Sequence, residues 1–174
     1  MRAAPWSTPV KVSSAVAIVL LLILAFGLPR AVVPAGQPGL AEGMRGLVFL
    51  LPFVILGASA LFVVRGYEIA GGELLVQRLL WATRVPLDGL ESAWADTAAM
   101  DRSIRIFGNS GLFAVTGTYR NRTLGTYRAF VTDRRRSVVL RTRTKAIVVS
   151  PERPEAFLTS LKARFPDLSG APPR

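Results

Sequence analysis

The chain lacks two residue types that carry much of enzyme chemistry, because its 174 residues include no cysteine and no histidine. Without cysteine there is no disulfide, no thiolate nucleophile and no cysteine-ligated metal. Without histidine the chain has neither the commonest general base nor the commonest metal ligand. The acidic residues show no spacing that indicates paired carboxylates for acid–base catalysis. We therefore expect a protein that is not an enzyme, with no catalytic residues, no cofactor and no metal site.

Acidic residues are also few, with 11 Asp and Glu against 22 Lys and Arg, for a net charge of +11. Such a balance is typical of proteins that bind nucleic acid, acidic proteins or anionic lipid. The alternative interpretation is a charged surface that only maintains solubility. Apolar segments nearby favour the lipid. Nucleic acid is not expected as a partner, because the aromatic residues near the basic positions form no recognisable stacking motif.

Two uncharged apolar segments, residues 12–28 and 46–64, precede most of these basic residues. As helices they would be roughly 25 Å and roughly 28 Å long, close to the roughly 30 Å of a bilayer's hydrocarbon core. The first apolar run is longer than that of a usual signal peptide, which favours a retained helix. A short loop rich in proline and glycine, residues 29–45, is expected between them. The sequence therefore predicts two transmembrane α-helices that form an anchor over residues 1–65.

Basic residues flank both apolar segments and indicate an orientation. Arg2 and Lys11 precede the first segment, and Arg65, Arg78 and Arg84 follow the second. Segments rich in Lys and Arg tend to stay on the cytoplasmic side, which favours both termini in the cytoplasm. We expect a multi-pass protein of the cell (plasma or inner) membrane, with the remaining domain held against the bilayer surface.

The part after Arg65 alternates between apolar and polar residues, as strands do. Predicted strands lie at residues 67–69, 73–78, 81–85, 91–96, 104–107, 126–132, 138–142 and 146–150. Apolar residues then recur at helical spacing from Phe157 to Phe165, and Pro166 ends that helix. The pattern predicts an α+β domain over residues 66–166, with about seven antiparallel strands capped by a C-terminal helix. A flexible tail is expected at residues 167–174.

The order of several short motifs in this domain is the basis of a family resemblance. The motifs are Tyr67-Glu68-Ile69, Arg84-Val85-Pro86-Leu87, Phe107-Gly108, Gly111-Leu112-Phe113, Gly117-Thr118-Tyr119, residues 127–132 and residues 147–157. Together they resemble the bacterial membrane-anchored PH-domain (pleckstrin-homology-like) family, over roughly residues 66 to 165. The resemblance implies a PH-like roll, often preceded by transmembrane helices. It does not imply an enzyme.

The basic stretch between residues 120 and 145 is the strongest candidate site in the sequence. Its candidate contacts for anionic lipid or an acidic partner are Arg120, Arg122, Arg134, Arg135 and Arg136. Basic side chains close to an anionic membrane surface contribute about 1 kcal/mol each. A solvated charged surface is the alternative interpretation.

Two further features have structural interpretations. Residues 108–111 form a predicted glycine-rich loop whose backbone amides could hold a phosphate. This loop lacks the lysine and the following helix of a P-loop, so we interpret it as a structural bend. Trp81 and Trp94 stand at strand positions and are interpreted as core residues, with membrane-interface anchors as the alternative.

These observations lead to two hypotheses about function. The first is a non-catalytic, membrane-anchored, PH-like binding or scaffolding module that contacts anionic lipid or a membrane-protein partner. The second is an accessory assembly subunit of a larger membrane complex, in which the helices and the roll are assembly surfaces.

Overall fold

The computed structural model describes residues 1–32, 40–110 and 113–171. In chain order its elements are α1 (Thr8–Val32), α2 (Leu40–Leu61), β1 (Gly66–Ala70), β2 (Glu73–Gln77), β3 (Ala82–Pro86), β4 (Leu90–Ala95), β5 (Ile104–Ser110), β6 (Val115–Asn121), β7 (Gly125–Val131), a 3₁₀ turn (Arg134–Arg136), β8 (Val138–Thr142), β9 (Ala146–Val149) and α3 (Pro154–Arg164).

In the part of the chain that the structure describes, one helix is long and apolar enough to cross a membrane, Thr8–Gly27 within α1, with a mean hydropathy of 2.4. Of the two predicted transmembrane helices, only the first is therefore a clear membrane-span candidate in the described residues. The apolar part of α2, Gly46–Leu61, is shorter, and α2 ends before Val64. It ends early because Val64 is buried in the core of the sheet domain and the Arg65 amide donates to the Gln77 carbonyl oxygen at 2.8 Å.

The two helices lie side by side, with the ring centroids of Phe26 and Phe49 5.6 Å apart. The loop predicted over residues 29–45 is corrected at both ends, because α1 continues to Val32 and α2 already begins at Leu40. Residues 33–39, where the rest of that prediction falls, lie outside the described residues.

The described strands number nine and form two sheets, with the orders β1-β2-β3 and β4-β8-β9-β7-β6-β5. The strands predicted at residues 67–69 and 73–78 pair antiparallel as β1 and β2, and those predicted at 138–142 and 146–150 pair antiparallel as β8 and β9. The prediction that all strands are antiparallel is wrong at one place, since β9 pairs with β7 in parallel. Strand β9 is buried along its whole length, with Ile147 and Val149 in one core and Ala146 and Val148 in another. A strand that is apolar on both faces is stable only inside a sheet, so it inserts between β7 and β8.

The sequence pattern missed β6 altogether. Thr116, Thr118 and Arg120 make one face of this strand polar, and Gly117 interrupts the other face between Val115 and Tyr119. Glycine inside a strand weakens the pattern that identifies strands. The strand is nevertheless fixed by its antiparallel pairing with both β5 and β7.

Each face of the six-stranded sheet carries its own apolar core. The first core lies between the two sheets and beneath α3, and it includes Tyr67, Phe130 and Phe157. The predicted C-terminal helix is confirmed as α3, which buries Phe157 and Leu161. The second core covers the opposite face and includes Val10 of α1 as well as Tyr127 of β7.

Residues 1–7, which we call the N-terminal strap, are part of the sheet domain, although the predicted boundaries assign them to the anchor. The Tyr67 amide donates to the Met1 carbonyl oxygen at 2.8 Å, and the Ala4 amide donates to the Ser150 carbonyl oxygen at 2.8 Å. Ala3 also forms an isolated antiparallel bridge with Pro151. The strap therefore joins β1 to the end of β9, directly before α1 begins.

Leu168 and Ser169 contact the domain beyond its predicted end at residue 166. Leu168 is buried in the first core. The Ser169 amide donates to the Glu91 carbonyl oxygen at 3.0 Å, and the Ala93 amide donates to the Ser169 carbonyl oxygen at 2.9 Å. These contacts correct the predicted start of a tail at residue 167. Residues 172–174 lie outside the described residues.

Candidate functional site

The end of the sheet domain at which α1 begins and α2 ends, here called the helix-proximal end, carries part of the predicted basic surface. The 3₁₀ turn Arg134–Arg136 follows β7 at this end, and all three arginines are exposed. Arg134 and Arg135 line a shallow pocket together with Ser7, Pro9 and Ser13 at the start of α1. Arg136 points elsewhere, since its Nη1 donates to the Glu152 carbonyl oxygen at 2.8 Å.

The other two predicted contacts lie at the opposite end of the sheet. Arg120 is near the end of β6 and Arg122 is in the turn that follows. The seven residues of β6 separate them from the helix-proximal end, which corresponds to roughly 20 Å along an extended strand. The structure therefore divides the five predicted arginines into two groups, and only the group at the 3₁₀ turn lies close to the helices.

The predicted glycine-rich loop is a strand where the structure describes it. Gly108, Asn109 and Ser110 are the last residues of β5, which corrects the predicted loop, while Gly111 lies outside the described residues. Gly108 stands opposite Gly117 of β6, with φ values of +119° and +145°. A side chain on Gly117 would put a Cβ 2.2 Å from the Phe107 carbonyl oxygen, so the backbones approach as closely as they do only because both residues are glycine.

A second pocket, here called the helix–sheet pocket, lies between the last turn of α2 and the polar face of β6 and β7. Its volume is about 480 Å³. Its lining residues are Ala58, Ser59, Phe62, Arg78, Phe107, Gly108, Thr116, Gly117, Thr118, Arg128 and Phe130. The pocket therefore combines two guanidinium groups and several hydroxyls with an aromatic wall.

Arg78 is the most buried charged residue of this pocket, with 9% of its surface exposed. Its Nη1 donates to the Phe62 carbonyl oxygen at 2.6 Å, just beyond the end of α2. Its Nε donates to Thr83 Oγ1 at 2.8 Å. A cation that binds a free carbonyl at a helix C-terminus stabilises the helix end. Arg78 thus fixes α2 to the three-stranded sheet.

Arg128 lines the same pocket and also lies against Phe130. The guanidinium carbons of Arg78 and Arg128 are 5.7 Å and 5.2 Å from the centroid of the Phe130 ring. Burial, and to a lesser degree the charge of Arg128, lower the pKa of the Arg78 guanidinium below its ordinary value. Within the described ranges, none of the salt bridges involves either arginine. The pocket therefore holds uncompensated positive charge.

Sequence reasoning missed Arg78 as a site residue. It counted only as a basic residue near the membrane, because nothing local distinguishes it from other strand-end arginines. Arg128 belonged to the basic stretch, but it alternates with buried Tyr127 and Ala129 and so faces away from the 3₁₀ turn's arginines.

The interpretation of Trp81 as a core residue is corrected, since Trp81 is 40% exposed in the turn before β3. Trp94 packs, half-buried, against the second core.

A family model described as "Bacterial PH domain" matches residues 65–165, and the chain therefore belongs to the bacterial PH-domain family. The predicted family is confirmed. PH domains are generally non-catalytic binding modules. No curated protein and no solved structure matches the chain.

Proposed function

We propose that this protein is a non-catalytic, membrane-anchored binding module whose helix-proximal basic surface contacts anionic lipid headgroups. The observation that carries the proposal is the position of Arg134 and Arg135 beside Ser7 and Pro9, where α1 begins. Basic residues at that depth gain about 1 kcal/mol each from an anionic leaflet, and the gain fades within about a Debye length. Membership of the PH-domain family supports a binding or scaffolding role.

The N-terminal strap supports two membrane crossings. Residues 1–7 and the strands after Arg65 belong to one domain, so a chain that leaves this domain through α1 must return to the same side through α2. The 22 residues of α2 correspond to roughly 33 Å of helix, which is enough for a crossing when its charged first turns are included. The proposal is therefore a multi-pass protein of the cell membrane with its basic domain in the cytoplasm.

Cysteine labelling tests this topology, because the native chain has no cysteine and gives a blank background. Two single-cysteine variants, Arg2→Cys in the strap and Thr144→Cys in the turn between β8 and β9, both change exposed positions. A membrane-impermeant maleimide should label both in vesicles with the cytoplasmic face outward and neither in vesicles of opposite orientation. Labelling of the two positions from opposite sides would contradict the proposal.

The lipid contact is tested on the full chain, because the strap makes residues 1–7 part of the domain. The chain is purified in mild detergent with a mixture of neutral and anionic phospholipid, and the retained lipid is quantified at low and high salt. In the double variant Arg134→Gln/Arg135→Gln, the salt-sensitive enrichment in anionic lipid should fall by roughly thirtyfold, since two contributions of about 1 kcal/mol are lost. Arg120→Gln/Arg122→Gln removes the same charge at the far end and is the matched control. Equal retention by both double variants would overturn the lipid contact.

A second candidate function, an accessory subunit of a membrane complex, is favoured by strand β5. This edge strand of the six-stranded sheet exposes Ile104 by 73%, Ile106 by 58% and Phe107 by 80%. Apolar side chains on an unpaired edge are typical of surfaces that another protein covers. A stoichiometric partner should co-purify with the native chain and be lost from the Ile104→Glu/Ile106→Glu variant. A native chain that purifies alone counts against this candidate.

A further inference from the structure

We infer that the helix–sheet pocket binds the phosphate headgroup of one anionic phospholipid, with an acyl chain lying against α2. The inference deepens the proposed function, on which it rests for the membrane setting. It concerns a discrete site for a single lipid molecule, whereas the surface at Arg134 and Arg135 meets many headgroups in turn.

The size and the position of the pocket suit such a ligand. Its volume of about 480 Å³ lies within the roughly 300–1,000 Å³ that is usual for small-molecule sites. Ala58, Ser59 and Phe62, at and just beyond the end of α2, form one wall. In a helix that crosses the bilayer towards the sheet domain, these residues lie where hydrocarbon gives way to headgroups.

The charges in the pocket call for an anion. Arg78 is nine-tenths buried, and in the described part its Nη2 makes no hydrogen bond, while its Nε and Nη1 are both used. Arg128 adds a second positive charge beside the same Phe130 ring, and no carboxylate pairs with either arginine among the described residues. A buried cation without a counter-charge is costly, so a phosphate bound in the pocket that both guanidinium groups line would stabilise the site.

Hydroxyl groups complete the polar side of the pocket. Ser59, Thr116 and Thr118 all line it, and each hydroxyl can donate a hydrogen bond to a phosphate oxygen. Thr116 and Thr118 face the pocket because alternate residues of β6 share one face with Arg128 and Phe130 of the paired strand β7.

The apolar side favours a lipid over a free phosphate. Phe62 and Phe107 both line the pocket, and they remain 48% and 80% exposed. A free phosphate would leave both rings uncovered. An acyl chain that runs from the headgroup along α2 would bury them, and burial of apolar surface is favourable in proportion to its area.

The test is native mass spectrometry of the full chain released from mild detergent at high salt. One tightly bound anionic phospholipid should remain per chain when the protein is exposed to a mixture of phosphatidylglycerol and phosphatidylcholine. Arg128→Gln should weaken this retention by about tenfold, because a charge-assisted hydrogen bond is lost. Arg120→Gln is the matched control: it removes an exposed arginine of the neighbouring strand β6 that does not line the pocket, and it should retain the lipid. Phe107→Ser, at an exposed position on the apolar side, should also weaken retention.

The outcomes separate this inference from the proposed surface contact. The pocket is supported if the bound lipid is lost in Arg128→Gln and kept in Arg134→Gln/Arg135→Gln. This holds whether or not the salt-sensitive enrichment changes. Salt-sensitive enrichment without any retained lipid at high salt overturns the pocket and leaves the surface contact standing. Equal retention in Arg128→Gln and Arg120→Gln also overturns it.

Inorganic phosphate distinguishes the two sources of the anion. In nanodiscs of phosphatidylcholine alone, phosphate should not raise the unfolding temperature of the native chain, whereas added phosphatidylglycerol should raise it, and Arg128→Gln should remove that rise. A rise with inorganic phosphate that depends equally on Arg128 would show that the pocket takes free phosphate and would overturn the lipid assignment.

Discussion

The hydroxyl of Thr132, just beyond the end of β7, donates a hydrogen bond of 2.7 Å to the carbonyl oxygen of Ala4, 128 residues away in the chain. Thr132 is fully buried, and its hydroxyl also lies 3.1 Å from Ser150 Oγ. The contact ties the N-terminal strap to the six-stranded sheet. Since α1 begins immediately after the strap, one end of the helix pair is held to the domain through this bond and the other through Arg78 and Phe62.

We predict that Thr132→Val destabilises the full chain by about 1–3 kcal/mol, because the buried carbonyl of Ala4 loses its side-chain donor while the volume of the side chain hardly changes. Chemical unfolding of the detergent-solubilised protein, followed by near-UV circular dichroism, measures the change. Thr126→Val alters an exposed threonine of β7 and should shift stability by less than about 0.5 kcal/mol. Equal effects of the two substitutions would contradict the role given to the strap.

Tyr67 gives the domain a stability that depends on pH in the alkaline range. Burial raises the pKa of this phenol to about 12, although its hydrogen bonds with Ser150 oppose the shift. In the unfolded chain tyrosine ionises near pH 10. Between about pH 10 and 12, unfolding therefore releases a proton, and the free energy of unfolding should fall by about 1.4 kcal/mol per pH unit from this residue alone. Below about pH 10 its contribution should be constant.

Tyr67→Phe provides the check on that assignment. The phenol donates to the Phe130 carbonyl oxygen at 2.6 Å and accepts from the Ser150 amide at 3.1 Å. Loss of this hydroxyl should lower the free energy of unfolding by about 1–3 kcal/mol at neutral pH. It should also make the fall of that free energy with pH, between about pH 10 and 12, less steep. Some slope should remain, because burial also raises the pKa of Tyr127. An unchanged slope in the variant would assign the pH dependence to other groups.

The fold was predictable where local pattern and final environment agree. Alternation of apolar and polar residues predicts the paired strands β1 and β2, which a glycine turn connects, and the paired strands β8 and β9. Helical spacing of apolar residues predicts α3. The position of β9 between β7 and β8 could not be read in this way, since its four apolar residues fit a buried strand but do not say beside which neighbours. The strap was missed because it is fixed by backbone hydrogen bonds to residues far along the chain, and these leave no side-chain pattern.

The candidate site was less predictable than the fold, because it depends on which end of the sheet each arginine occupies. A run of basic residues places Arg120 and Arg134 in one stretch, yet the strand between them carries the chain from one end of the sheet to the other. The helix–sheet pocket brings together Ser59, Arg78 and Arg128 from three different elements. Only the tertiary fold places these side chains around one cavity.

Gly117 of β6 should not tolerate a side chain. Its φ of +145° disfavours any side chain, and a Cβ would also lie 2.2 Å from the Phe107 carbonyl oxygen. We predict that Gly117→Ala costs more than about 3 kcal/mol, since backbone strain and a backbone clash add together. Gly125→Ala is the control: it has a φ of +70° but no atom within 4 Å of a new Cβ, and it should cost about 1–2 kcal/mol. Similar costs for the two would show that the strands can move apart.

Trp81 should lie at the membrane interface. Its ring packs edge-on against Phe62 at a centroid distance of 5.3 Å, and its neighbours Leu79 and Leu80 are 46% and 75% exposed. Tryptophan beside the end of a membrane helix favours the headgroup region. With Trp6 and Trp94 changed to Phe, Trp81 is the only remaining tryptophan of three, and acyl-brominated lipid should quench its fluorescence strongly.

The matched control for that measurement moves the tryptophan to the other end of the sheet. With all three native tryptophans changed to Phe, Thr144→Trp places one in the exposed turn between β8 and β9. This turn follows the end of β8 that is remote from the 3₁₀ turn, so its fluorescence should be unaffected by brominated lipid. Strong quenching at residue 144 with none at Trp81 would mean that the opposite end of the domain faces the bilayer. The contacts proposed for Arg134, Arg135 and the helix–sheet pocket would then fail together.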